Sequence, residues 1–135
     1  MMGLFRNSVF LRWVLLADAV TCIATGLLLM IGADFLMEFL GMPKTLLRYA
    51  GLSLIPFAVL LIYLASRERL PQSVIFGVIV YNLLWTLDSF LLLLSGWIEP
   101  TTFGYAFVIA QAFGVAMFAA IEYIGLQKSL TTATQ

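Results

Sequence analysis

The sequence predicts an all-α protein, a four-helix transmembrane bundle with a short interfacial helix after the first span, and three observations carry that expectation. The 135-residue chain is 63% apolar and 10% charged, whereas soluble domains carry about a quarter of their residues as charges. Its mean hydropathy is +1.07. Four apolar stretches, each close to the roughly 20 residues that cross hydrocarbon, alternate with short charged or proline-containing connections. The expectation is one integral membrane domain over residues 1–135, with spans near 13–32, 49–66, 73–98 and 103–126.

The first twelve residues form a short basic lead with Arg6 and Arg12. It is not read as a secretory signal: Asp18 follows soon after the apolar stretch begins, and that stretch runs for a full span with no evident cleavage site. Span one places Asp18, Thr21, Cys22 and Thr25 at i, i+3, i+4 and i+7, which is one helical face. An ionisable group there is costly in hydrocarbon, so that face should look into the bundle. After Asp34 the acids alternate with Phe35, Leu36, Met37, Phe39 and Leu40, the pattern of a helix lying in the interface. Gly41-Met42-Pro43 then breaks the chain.

Span two, from about 46 or 49 to 66, has Arg48 at its entrance and Pro56 near its middle, where a kink would free a backbone carbonyl. The charged connection from Arg67 to Gln72 reads as a tight hairpin. Span three carries the densest polar set, with Tyr81, Trp85, Asp88 and Ser95 along one stripe and Asn82 and Ser89 beside it. Glu99-Pro100 turns the chain into span four, whose Gln111 and Glu122 stand eleven residues apart and nearly superpose in helical projection.

The side shared by the N-terminal end, the middle connection and the C-terminal tail holds Arg6, Arg12, Arg67, Arg69 and Lys128, against Lys44 and Arg48 on the other. That bias predicts both termini in the cytoplasm of a bacterial-type inner membrane. It also argues against dual insertion. Asp18 with Thr25-Gly26 and Asp88 with Ser95-Gly96 share one spacing, which suggests two parallel two-helix repeats whose aspartates face a common interior.

Each polar residue has a functional and a plain reading. Asp88, near the middle of its span, is either a proton-coupling or cation-binding carboxylate served by Asn82, Trp85 and Tyr81, or a structural hydrogen bonder worth about 1 kcal/mol. Asp18 and Glu122 either form a shared acid site or reach headgroup water and Arg12, Arg67 or Arg69. Thr21, Cys22 and Thr25 read as packing hydrogen bonders. The Ala106, Ala110, Gly114 stripe reads as an intramolecular seam, with an oligomer contact as the alternative. Six methionines are scattered and read as packing filler.

Zero net charge and no Lys/Arg cluster give no footprint for nucleic acid. One cysteine and no histidine leave no cofactor ligand set and remove the usual general base. No nucleophile elbow, phosphate loop or dinucleotide fingerprint is present, so the chain is not read as an enzyme. In size and in its membrane carboxylate it resembles small four-helix drug exporters in outline, without a motif of theirs. The expected site is Asp18, Tyr81, Asn82, Trp85, Asp88, Gln111 and Glu122, binding a small ligand or cation, with transport by an oligomer as its extension. The second reading is a non-catalytic accessory or assembly subunit of a larger membrane complex. Membrane lipid is the expected surrounding in either case.

Overall fold

The computed structural model describes residues 4–133, with side chains described through Leu130. Its order is β1 (Leu4–Arg6), α1 (Val9–Ile31), α2 (Ala33–Leu40), α3 (Lys44–Ser66), β2 (Arg69–Pro71), α4 (Gln72–Ser95) and α5 (Thr102–Ala133). Four of these helices are long and apolar enough to cross a membrane. The part of the basic lead at residues 1–3 lies outside the described residues.

The helices overrun the apolar windows at several ends. Ser8 caps α1, its hydroxyl accepting from the Leu11 amide at 3.1 Å, so the helix starts four residues before Trp13. Pro43 and Pro71 precede α3 and α4, where a fixed φ leads into a helix and the missing N–H costs nothing. Span three stops short of residue 98, because Gly96 takes a left-handed φ of 78° and closes α4. The segment expected to lie in the interface forms α2 and ends the same way at Gly41, φ 70°.

The connection from Arg67 to Gln72 is more than a hairpin. Its Arg69–Pro71 pairs antiparallel with Leu4–Arg6 in the register Leu4 to Pro71, Phe5 to Leu70 and Arg6 to Arg69. Phe5 and Leu70 turn inward and are buried. Asn7 donates to the Leu64 and Arg67 carbonyls at 3.3 and 3.1 Å, satisfying the orphan acceptors at the end of α3.

Packing is by pairs, α1 against α3 and α4 against α5. The α1–α3 seam depends on two glycines: a Cβ on Gly51 would stand 2.6 Å from the Gly26 carbonyl oxygen, and one on Gly26 would stand 3.0 Å from that of Gly51. These helices touch backbone to backbone. By contrast Ala106 and Ala110 are exposed and a Cβ on Gly114 would meet nothing within 4 Å, so the small stripe of span four is no intramolecular seam. Against α1 and α2, helix α5 is held at its two ends instead. Gly125 lies against Leu11 and the Ser129 hydroxyl donates to Ser8 Oγ at 2.7 Å, while the Thr101 amide donates to the Leu40 carbonyl at 3.0 Å and Phe39 stacks on Phe103. At the outer edge of α2, Asp34 is ion-paired with Lys44. That hydrogen bond and charge hold the Asp34 carboxyl below its usual range.

The residues equated by the repeat occupy unlike places. Asp18 is buried and Asp88 exposed; Gly26 is in a helix seam and Gly96 in a helix cap. A shared spacing does not set a shared environment when the two helices meet different neighbours.

Candidate functional site

Between its two pinned ends α5 stands off from α1, and a cavity of about 370 Å³ fills the gap, reaching inward to α3 and α4. Its wall is mostly apolar and aromatic, with Phe57, Trp85, Phe107 and Phe118 prominent. Tyr81 lines it while stacked on Phe57 at 4.2 Å between ring centroids. On its rim Thr21 and Ala110 are exposed. Cavities of this size and lining, with a few convergent polar groups, are the ordinary form of a small-molecule site.

The polar floor is built from three helices. Asn82 on α4 donates from one amide nitrogen to Asp18 Oδ2 on α1 at 3.1 Å and to Glu122 Oε1 on α5 at 2.7 Å. All three residues are buried, Glu122 fully. The Cys22 thiol adds a contact to Asp18 Oδ1 at 3.5 Å. The Asp18 and Glu122 carboxyl groups lie within reach of one another, yet Glu122 Oε2 accepts no hydrogen bond from any described donor. Two carboxylates with a shared neutral donor still repel when both are charged, and a proton or a cation between them removes the repulsion.

A second polar chain crosses the cavity toward α2. The Trp85 indole N–H donates to Gln111 Oε1 at 2.8 Å, and Gln111 Nε2 donates to Ser89 Oγ at 2.8 Å. Beyond this bar lies a smaller void of about 90 Å³, which shares Thr25, Trp85, Phe107 and Gln111 with the larger one.

Six of the seven expected site residues are thus in one place: Tyr81, Asn82, Trp85, Asp18 and Gln111 line the cavity, and Glu122 lies beneath its floor. Asp88 is the correction. It is exposed on the outer face of α4 between Leu84, Leu87 and Leu91, with no hydrogen-bond or ion-pair partner among the described residues. Residues 82 and 88 differ by six steps of about 100°, which puts them about 120° apart around the helix. Asn82 took the inward place, and Asp88 was thereby turned out.

Asp18 and Glu122 also differ from one expectation, since neither pairs with Arg12, Arg67 or Arg69. Because α1 begins at Val9 and α5 continues to Ala133, both acids lie deeper within their helices than the apolar windows implied. Thr21 bonds back to the Ala17 carbonyl of its own helix. Phe107 and Phe118 were not singled out from sequence, although their spacing around Gln111 marks one face of α5, and Gly114 was read there only as part of a packing stripe. Comparison with known protein families, curated proteins and solved structures returned no match, which leaves the reading of function to the chemistry of this cavity.

Proposed function

We propose that the chain is an integral membrane four-helix bundle that binds a small lipophilic cation in the α1–α5 cavity, with Asp18 and Glu122 as the counter-charge and Asn82 as their positioning donor. The observation that carries this is the pair of buried carboxyl groups that Asn82 draws together beneath a largely apolar cavity. Apolar walls select a lipid-soluble body, and a paired acid floor selects a positive head. The exposed Thr21 and Ala110 rim gives entry from the side of the bundle. Transport is the natural extension, with the Trp85–Gln111 bar separating this cavity from the smaller void. Orientation follows from the basic bias, with both termini in the cytoplasm of a bacterial-type inner membrane.

Trp85 supplies the readout, because the other tryptophans, Trp13 and Trp97, are exposed and replaceable by phenylalanine. In nanodiscs, benzyltrimethylammonium should change the emission of this sole-Trp85 protein saturably. Asp18→Asn with Glu122→Gln should weaken that cation about tenfold or more, the worth of a charge-assisted contact, and leave the uncharged isostere neopentylbenzene as it was. Equal weakening of both compounds, or no saturable signal, overturns the reading.

One observation favours the accessory reading as well. Asp88 lies seven residues inside the end of α4 at Ser95, on a leucine face, where an acid facing lipid is costly and a covering helix would relieve it. Asp88→Leu should lower the insertion free energy of the isolated α4 segment by about 3 kcal/mol, read by a glycosylation insertion assay. If the same substitution abolishes assembly with a stoichiometric partner while cation binding persists, the accessory role stands beside the binding one.

A further inference from the structure

The ribbon end of the molecule brings like charges together. Arg6 lies directly across from Arg69 in the β1–β2 register, and Arg67 precedes it on the same connection; all three are exposed. Opposed like charges on paired strands repel. Glu68, also exposed, offsets one of the three, so the ribbon keeps a positive excess.

A groove of about 800 Å³ starts there and passes from Arg67 and Arg69 to Leu60, Tyr63 and Val74. The Arg67 guanidinium lies over the Tyr63 ring, 5.7 Å from its centroid. Leu60 and Val74 also line a second groove of about 440 Å³, which continues between α3 and α4 to Pro56, Phe57 and Tyr81. Gly77 borders open space in it, since a Cβ there would meet nothing within 4 Å. From Ser66 back to Pro56 the cleft follows eleven residues of α3, about 15 Å of helix. Arg67, Arg69 and Glu68 line its mouth, with Arg6 across the ribbon from Arg69, so it keeps a positive excess there and is apolar along its length.

We propose that this cleft holds one anionic phospholipid, its phosphate between Arg6, Arg67 and Arg69 and one acyl chain laid along the α3–α4 gap toward Tyr81. Guanidinium groups match phosphate oxygens in geometry and charge. A zwitterionic lipid would bring its own ammonium against the same arginines, so the site discriminates by headgroup. The proposal rests on membrane embedding; the cleft shares Phe57 and Tyr81 with the inner cavity, but Asp18, Asn82 and Trp85 do not line it.

The test is native mass spectrometry of the full chain released from nanodiscs of equal dioleoyl phosphatidylglycerol and dioleoyl phosphatidylcholine. One phosphatidylglycerol should remain bound, enriched about tenfold. Arg67→Gln with Arg69→Gln should bring the enrichment near parity, and the corresponding double lysine variant should keep most of it. Gly77→Leu changes no charge but fills the groove, and should reduce lipid retention severalfold while leaving inorganic phosphate binding unaltered. Val74→Trp closes the same groove from α4 nearer the ribbon and serves if Gly77→Leu fails to fold. Parity in the native protein, full retention in both groove variants, or displacement of the lipid by millimolar inorganic phosphate overturns the proposal.

Discussion

Asn82→Leu should destabilise the protein by about 3 kcal/mol in reversible unfolding from bicelles, the low end of what unpairing buried charges costs. A single inter-helix hydrogen bond in a membrane is worth nearer 1 kcal/mol, so the larger figure reflects what Asn82 holds together. Its amide serves Asp18 and Glu122 at once, at 3.1 and 2.7 Å, and leucine would leave two buried carboxyl groups without their donor. The cost of an orphaned buried polar group exceeds the gain from a satisfied one. The same substitution should therefore cost less than about 1 kcal/mol when Asp18 and Glu122 are already leucine, because nothing is left to orphan. A cost below about 1 kcal/mol in both backgrounds would mean that the two carboxyl groups satisfy each other without Asn82.

Gly51→Ala should be the most damaging methyl addition in the α1–α3 pair, at about 2 kcal/mol. Its new Cβ would stand 2.6 Å from the Gly26 carbonyl oxygen and 2.8 Å from Met30 Cγ. The methionine can move. The carbonyl is fixed in the α1 backbone, so the two helices must separate, and contacts along both helices loosen with them. Gly77→Ala is the control, since open space surrounds it and a helical glycine replaced by alanine gains roughly 0.5–1 kcal/mol. Comparable losses for the two substitutions, measured by steric trapping or SDS titration, would show that the Gly26–Gly51 contact is not the limiting approach.

The two substitutions touch features of different legibility. Asp18 stood out in the sequence, because a lone acid among Val, Leu and Ala has to be accommodated. Gly51 did not, since a glycine in an apolar helix reads alike whether it faces a neighbour's backbone or open space. On α4 the polar residues were legible as a set, yet Tyr81, Asn82, Trp85, Thr86, Asp88, Ser89 and Ser95 cover more of the helix than one interior can receive. The stripe chosen from sequence passed through Asp88. The packed face runs through Ile75, Val78, Ile79 and Asn82 instead, with Thr86 donating to the Asn82 and Ala112 carbonyls.

By itself the sequence determined the number of long apolar helices, the short helix after the first, the break at Gly41, and which residues were polar enough to need an interior. Those properties are local: they depend on composition, period and the backbone freedom of single residues. Which acid was covered, which glycines became contacts, and the pairing of the N-terminal strand with the α3–α4 connection were decided by tertiary structure. Rotation of a helix about its axis is set by the sum of its contacts with neighbours distant in sequence, and a polar residue enters the interior where those neighbours offer it partners. Asn82 had two such partners, on α1 and α5, and Asp88 had none.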